Sequence, residues 1–263
     1  MYGAIAGDII GSIYEFNNIK TKDFTLFDAD AYYTDDTVMT VAVMKWLLGE
    51  NANDLSTNVL ASIMQDFGRR DPNRGYGYRF SAWLINDNPL PYNSWGNGSA
   101  MRASATGWIS DDAAEVRRIA RMSAAVTHNH KEGMNGAEAT AYAILLARKG
   151  KSKAEIKSII TQEFDYDLSL TCDEIRPYYT FDESCQNTVP QAIIAFLDSN
   201  DFEDAMRNAI SLGGDSDTLA CITGGIAEAY YHGVPPTILS EMKKRLPKEY
   251  IDIEDEFYRR YVR

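Results

Sequence analysis

The sequence is poor in residues that interrupt helices. Its 263 residues include only eight prolines and 18 glycines, a composition that favours a helical fold. Cysteine is also scarce, and Cys172, Cys185 and Cys221 lack the close spacing of a zinc or redox motif. We therefore expect three reduced packing residues and a cytoplasmic protein.

Positive charge and long apolar runs are scarce as well. Lys and Arg number 26 against 38 Asp and Glu, so the formal net charge is −12. This balance lacks the basic surface that binds polyanions, and we expect no generic nucleic-acid binding. The longest apolar run, residues 38–48, contains Lys45 and is well short of the roughly 20 residues that span a bilayer. No membrane segment is expected.

Apolar residues recur with helical spacing along most of the chain, and strand-like alternation is almost absent. The pattern predicts one all-α domain over residues 1–263. The least regular part, residues 164–188, is predicted to be a loop or a short inserted helix. The predicted helices lie near residues 3–14, 35–49, 54–68, 98–108, 111–126, 134–149, 152–163, 188–198, 202–212, 217–232 and 236–245.

Three of these predicted helices are apolar on nearly all sides, which places them at the centre of the domain. They are the helices at 3–14, 35–49 and 217–232. Small residues such as Gly7 and Gly224 would allow the helices to pack closely.

Two of the central helices begin with similar acidic sequences, at residues 34–37 (TDDT) and 213–218 (GGDSDT). A single Asp or Thr at such a position ordinarily caps the helix. Four carboxylates in one place, however, would repel one another unless they were protonated or neutralised. Oxygen ligands without cysteine suit hard divalent ions. The sequence thus leaves two interpretations open: separate helix caps, or a two-metal hydrolytic site where the helix starts meet.

A second polar segment, residues 94–102, contains Gly96 and Gly98 directly before a predicted helix. Backbone N–H groups in such a segment can hold a diphosphate without a basic residue. A plain glycine-rich turn capped by Asn97 or Ser99 is the other interpretation.

Taken together, these motifs resemble the ADP-ribosylglycohydrolase family. The resemblance implies a compact, orthogonal helical bundle in a single domain. It also implies an enzyme that uses two Mg²⁺ or Mn²⁺ ions to cleave the glycosidic bond between ADP-ribose and a modified acceptor. The residues that carry it are 3–8 (GAIAGD) with Gly11 and Glu15, 34–37, 94–102 (SWGNGSAMR), Thr127-His128, and 213–218.

The resemblance further implies roles for individual residues. The expected metal ligands are Thr34, Asp35, Asp36, Asp215, Asp217 and Thr218. The expected catalytic residues are Glu15, Asp35, Asp36 and Asp217, with Glu15 at a position that can gate the site and with Asp36 or Glu15 accepting a proton from water. The expected substrate-binding residues are Ser94, Trp95, Gly96, Asn97, Gly98, Ser99, Met101 and His128. Trp95 could line the pocket or belong to the core.

The sequence constrains the identity of the acceptor less than it constrains the residues of the site. We expect ADP-ribosylated arginine on a protein as substrate, ADP-ribose as product and a monomeric enzyme. The chain is short for the family, and peripheral regions shape acceptor choice, so a serine, nucleotide-base or small-molecule linkage stays open. Two other interpretations are a two-metal phosphoesterase and a non-catalytic ADP-ribose-binding protein on the same fold.

Overall fold

The computed structural model describes residues 1–49 and 55–262, and that part of the chain is all-α. It contains no sheet, and one β-bridge joins Gly96 to Ser184. The prediction of an all-α fold is confirmed. The helices are α1 (Tyr2–Gly11), α2 (Asp35–Leu47), α3 (Thr57–Arg70), α4 (Tyr78–Leu84), α5 (Ala113–Ala125), α6 (Lys131–Arg148), α7 (Lys153–Phe164), α8 (Cys172–Ile175), α9 (Cys185–Leu197), α10 (Phe202–Ser211), α11 (Ser216–Tyr230), α12 (Pro236–Lys243) and α13 (Lys248–Phe257).

The predicted helices are present with shifted ends, with one exception. The segment predicted as a helix over 98–108 instead forms two short 3₁₀ turns, Asn97–Ser99 and Ser104–Trp108. The predicted helix at 54–68 is observed as α3, and its first predicted residue, Asp54, lies outside the described residues.

Within the described residues, the short helix α8 lies in the segment 164–188, as one of its two predicted alternatives, whereas helices α4 and α13 were not predicted. Helix α4 has only seven residues and no side-chain cap, so its sequence signal is weak. Helix α13 buries Tyr250, Ile253, Glu254 and Phe257, an i, i+3, i+4, i+7 pattern that predicts an amphipathic helix. The signal for α13 was therefore present in the sequence.

The three helices expected at the centre are there. Every residue of α1 is buried, as is every residue of α11 except the last. Helix α1 crosses α11 at backbone contact: a Cβ at Gly7 would lie 2.0 Å from the carbonyl oxygen of Ala220, and one at Gly11 would lie 2.5 Å from Cα of Asp217. Only glycine permits this approach, which brings α1 against the acidic start of α11.

The buried carboxylate of Asp8 joins α1 to the start of α2. It accepts hydrogen bonds from the backbone N–H of Thr34 at 3.0 Å and of Thr37 at 3.1 Å. Both threonine hydroxyls also donate to it, that of Thr34 over 2.7 Å. Asp8 therefore caps α2 from a neighbouring helix and fixes the orientation of its first turn.

A second buried carboxylate, Glu254 on α13, lies away from the acidic helix starts. Neither of its oxygens accepts a hydrogen bond from the described part of the chain. Burial raises the pKa of Glu254 to about 8, against the opposing effect of the N-terminal amine. The folded protein therefore binds a proton here that the unfolded chain releases, and stability falls as pH rises from about 4.5 towards 8.

We expect Glu254→Gln to remove this pH dependence. The gain in the free energy of unfolding should be small at pH 5 and reach on the order of 2 kcal/mol or more at pH 8. Urea denaturation at both pH values measures it, with the exposed Glu256→Gln on the same helix as control. An equal effect of Glu254→Gln at the two pH values would contradict the assignment.

No helix within residues 1–49 and 55–262 combines the length and apolar character that crossing a membrane requires.

Candidate active site

The two acidic helix starts meet in the folded protein. The hydroxyl of Thr218 on α11 donates to Oδ1 of Asp36 on α2 over 3.2 Å. At α2, the side chain of Thr34 caps the helix by accepting from the N–H of Asp36. At α11, Asp215 occupies the capping position, but its carboxylate makes no capping hydrogen bond. In the first turn of α11, Asp217 accepts from the N–H of Thr218 at 3.0 Å. Helix capping thus accounts for Thr34 and one oxygen of Asp217, and it leaves Asp36 and Asp215 available for another role.

Glu15 joins this group from the segment between α1 and α2. Carboxylate oxygens of Glu15, Asp215 and Asp217 lie within 4.8 Å of one another. The side chain of Asn18 positions the segment, because its Nδ2 donates to the carbonyls of Glu15 at 3.0 Å and Gly214 at 2.8 Å. The Gly214 N–H donates back to Asn18 over 2.8 Å. The gating role expected for Glu15 stays a prediction.

Burial and mutual repulsion disfavour charge on these side chains. Burial, reinforced by neighbouring carboxylates, raises the pKa values of Asp35, Asp36 and Asp217 well above the ordinary aspartate value. Burial, then the charges of Asp215, Asp8 and Glu183, raises the pKa of Glu15 to about 7. Without a counter-charge, the ionised form of this group of carboxylates is therefore electrostatically unfavourable.

The chemistry of the cluster fits hard divalent cations. Its donors are carboxylate and hydroxyl oxygens, the ligands that Mg²⁺ and Mn²⁺ prefer. Oδ2 of Asp36 is buried and has no hydrogen-bond partner in the described part of the chain. None of the ion pairs found within residues 1–49 and 55–262 involves Asp36, Asp215 or Asp217, so no lysine or arginine neutralises them.

A cavity of about 320 Å³ opens beside the carboxylates, within the usual size range of ligand sites. It extends from the acidic group to the glycine-rich segment and helix α4. Its wall consists of Glu15, Asp35, Asp36, Gly75, Gly77, Tyr78, Arg79, Phe80, Tyr92, Ser94, Gly96, Asn97, Gly98, Met101, Arg102, His128, Glu183, Asp215, Asp217 and Thr218. Most of the residues expected in the site are therefore brought to one cavity.

The cavity wall also contains two arginines, Arg79 and Arg102, that were not among the expected site residues. Arg102 is fully buried and donates to the carbonyl of Gly98 and to the Thr127 hydroxyl, the latter over 2.8 Å. The guanidinium of Arg79 lies 4.7 Å from the centre of the Tyr92 ring. Arg102 belongs to the motif at 94–102, whereas nothing in the sequence near Arg79 marked it.

His128 lines the cavity beside the glycine-rich segment. The Thr127 hydroxyl accepts from Arg102 over 2.8 Å and shares a 2.6 Å hydrogen bond with Nδ1 of His128. Nε2 of His128 faces the glycine-rich segment: a Cβ at Gly98 would lie 3.3 Å from it. Burial, and then the charges of Arg102 and Arg79, lowers the pKa of His128 well below its ordinary value.

The glycine-rich segment differs in detail from its expected role as a helix start. The N–H of Gly96 already donates to Oγ of Ser94 at 3.1 Å, and that of Asn97 donates to the carbonyl of Glu183 at 2.6 Å. The Asn97 side chain donates to Asp215 over 2.7 Å, so it orients a carboxylate of the acidic cluster. A 3₁₀ turn follows instead of an α-helix, and no helix dipole points at the cavity here.

Three of the residues expected in the site lie outside the cavity wall. Thr34 is buried behind it and bonds to Asp8. Ser99 is buried and donates to a backbone carbonyl of α6 over 2.6 Å. Trp95 is 49% exposed, and its ring packs edge-on against His130. Trp95 therefore belongs neither to the core nor to the cavity.

Comparison with known proteins gives one consistent family. The profile described as ADP-ribosylglycohydrolase matches residues 1–262. Human ADP-ribosylhydrolase ARH3 is 29% identical over 304 aligned positions, which cover 87% of this chain and 83% of the human protein. The mouse ADP-ribosylhydrolase ARH3 is 28% identical, with 87% and 82% covered.

A bacterial relative and a solved structure agree with this match. ADP-ribosylarginine hydrolase Tri1 of Pseudomonas putida is 25% identical, and the alignment covers 90% of this chain and 71% of Tri1. A solved structure titled ADP-ribosylglycohydrolase-related protein complex superposes with a TM-score of 0.69 at 22% identity. It covers 98% of this chain and 94% of that chain, and it shows the shared fold.

Proposed function

The chain belongs to the ADP-ribosylglycohydrolase family, and we propose that it hydrolyses the bond between ADP-ribose and an arginine side chain. The observation that carries the proposal is that the wall of one cavity contains two groups of opposite charge character. One group consists of carboxylates, and the other contains Arg79, Arg102 and His128. The name of the Pseudomonas putida relative, an ADP-ribosylarginine hydrolase, supports arginine as the acceptor.

The charge distribution matches ADP-ribose in one orientation. The diphosphate carries the ligand's negative charge and suits the group formed by Arg79 and His128, beside the buried charge of Arg102. The ribose that is bonded to the acceptor then lies among the carboxylates, with its reactive carbon C1″ near Glu15 and Asp217. Carboxylates at this position stabilise the positive charge that develops on the sugar as the glycosidic bond breaks.

We propose that the acidic cluster holds two Mg²⁺ or Mn²⁺ ions. When bound, such ions neutralise carboxylate charge and acidify a water molecule. Asn97 holds the carboxylate of Asp215, and Asp8 holds the start of α2, so the ligands are positioned in advance. The proposed ligands are Thr34, Asp35, Asp36, Asp215, Asp217 and Thr218.

Glu15 is the proposed proton acceptor. Its pKa, raised by burial to about 7, leaves a substantial unprotonated fraction at neutral pH and gives a base strong enough to take a proton from water. Hydrolysis adds the hydroxyl of that water to C1″ and returns a proton to the acceptor nitrogen. Asp36, with its unpartnered Oδ2, is the second candidate for this role.

ADP-ribose release tests the function directly. The protein is incubated with Mg²⁺ and matched peptides ADP-ribosylated on arginine or on serine, and free ADP-ribose is measured by mass spectrometry. We expect release from the arginine peptide. Release from the serine peptide alone would show that the acceptor is serine and not arginine. Release of AMP would indicate a phosphoesterase. ADP-ribose binding without turnover would indicate a binding protein.

Thr127→Val tests the diphosphate end of the cavity. Valine keeps the shape of the side chain but removes the hydroxyl that accepts from Arg102 and orients His128. We expect ADP-ribose binding to weaken by about tenfold, the effect of one lost buried hydrogen-bond network. Calorimetric titration measures the affinity, and the exposed Thr161→Val serves as control. Equal affinities of wild type and Thr127→Val for ADP-ribose would show that the Thr127 hydroxyl does not contribute to binding.

We also propose that the substrate is a modified protein and that the compartment is the cytoplasm. All three cysteines are free and buried, as expected in a reducing environment.

A further inference from the structure

An exposed aromatic pair lies next to the acidic end of the cavity. Phe16 is 79% exposed and Phe181 is 42% exposed, and their rings stack with centroids 6.2 Å apart. Phe16 directly follows Glu15, and Phe181 is two residues before Glu183; both glutamates line the cavity. Folding gains little from two phenylalanines that remain in water, so this pair requires another explanation.

A third exposed aromatic residue, Tyr32, is anchored at the end of α1, because its N–H donates to Oγ of Ser12 over 3.1 Å. Ser12 is three residues before Glu15. The rim of the cavity at this end combines aromatic faces with the carboxylates of Glu15 and Glu183.

The orientation of the ligand determines what this rim contacts. With the diphosphate beside Arg79 and His128, C1″ lies among the carboxylates, and the acceptor bonded to C1″ extends past them towards solvent. Phe16 and Phe181 are exposed and adjoin the cavity-lining residues Glu15 and Glu183 along the chain. The acceptor side chain therefore passes the aromatic pair and Glu183.

We propose that Phe16, Phe181 and Glu183 form the acceptor subsite and recognise a guanidinium group. This inference rests on the proposed ADP-ribosylhydrolase function. A planar guanidinium stacks on aromatic faces and donates paired hydrogen bonds to a carboxylate. A serine linkage offers neither the charge nor the flat surface, and an acidic acceptor would be repelled. A nucleotide base would stack on the rings without needing Glu183.

The test compares kcat/KM on two matched peptides, ADP-ribosylated on arginine or on serine. The variants are Glu183→Gln and the double variant Phe16→Ala/Phe181→Ala. The controls are Glu256→Gln on α13 and Val59→Ala on α3, which remove an exposed charge and exposed apolar surface elsewhere. Free arginine is also tested as a product inhibitor, because its inhibition reports on binding at the subsite independently of catalysis.

We expect the wild type to prefer the arginine peptide. Each variant should lower kcat/KM on that peptide by about fivefold to tenfold, leave any serine activity within about twofold, and weaken inhibition by arginine similarly. Equal losses on both peptides, or unchanged kcat/KM in both variants, would overturn the subsite.

Different results would refute the hydrolase function and the guanidinium subsite. Cleavage of the serine peptide alone leaves the hydrolase function intact and refutes guanidinium recognition. Cleavage of neither peptide by a protein that binds ADP-ribose refutes the function and the subsite together. A loss confined to Phe16→Ala/Phe181→Ala, with Glu183→Gln unchanged, would indicate stacking of a neutral acceptor and would also refute the proposal.

Discussion

Asp217→Asn is expected to lower turnover by about a thousandfold or more and, at the same time, to raise the thermal stability of the metal-free protein. Asparagine keeps the shape of the side chain and removes one charge. Asp217 is buried beside Asp215 and Asp36, and burial together with their charges raises its pKa. The substitution removes this repulsion, which should stabilise the metal-free fold by on the order of 1 kcal/mol.

The two opposite effects distinguish a functional carboxylate from a structural one. Replacing a carboxylate that serves packing or capping lowers the stability of the protein, whereas replacing one that serves only the chemistry raises it. Turnover is measured on the arginine peptide with Mg²⁺, and unfolding is measured by calorimetry in the presence of a chelator. Asp252→Asn, exposed on α13, is the control. Turnover within about threefold of wild type, or a lower melting temperature in chelator, would contradict the role of Asp217.

Removal of divalent cations is expected to abolish turnover and to lower stability. Ions that bind only the folded state stabilise it by about 2.7 kcal/mol per site at a concentration one hundred times Kd. Chelation should therefore lower the melting temperature of the wild type, and the difference should be smaller in Asp217→Asn. Addition of Mg²⁺ or Mn²⁺ in excess should restore both activity and stability.

The effect of chelation should also depend on pH. In the metal-free protein, burial raises the pKa of Glu15 to about 7 and that of Asp8 to about 6, so the folded state binds more protons than the unfolded chain. Stability in chelator should therefore fall as pH rises from about 4 to about 7, and Mg²⁺ should reduce this fall. Glu254 contributes equally in both conditions and cancels in the comparison. A stabilisation by Mg²⁺ that is independent of pH would contradict neutralisation of these carboxylates.

The centre of the fold could be predicted because its sequence signal is local. Helices α1, α2 and α11 are apolar on all sides, and only burial explains such a pattern. The acidic starts of α2 and α11 were also visible, but their meeting depends on the glycine contacts of α1 with α11. Tertiary contacts of this kind leave no periodic pattern in the sequence.

For residues 98–108, the local sequence signal predicted the wrong structure. Residues 98–108 have helical spacing, yet contacts from elsewhere hold the chain in 3₁₀ turns. The N–H of Asn97 bonds to the carbonyl of Glu183, and Arg102 bonds to the carbonyl of Ser123 at 3.2 Å. These partners are distant in sequence, so local propensity could not reveal them. The same holds for Arg79, which reaches the cavity only because α4 packs beside it.

Titration of metal-free protein with Mn²⁺, with bound ions and ADP-ribose release measured in the same samples, tests the central claim most directly. We predict no release in chelator and full activity only when about two ions are bound per chain. Asp217→Asn should bind fewer ions and stay inactive. Full release of ADP-ribose in chelator, or full activity with no ion bound at the carboxylates, would contradict a metal-dependent hydrolase built on Asp35, Asp36, Asp215 and Asp217.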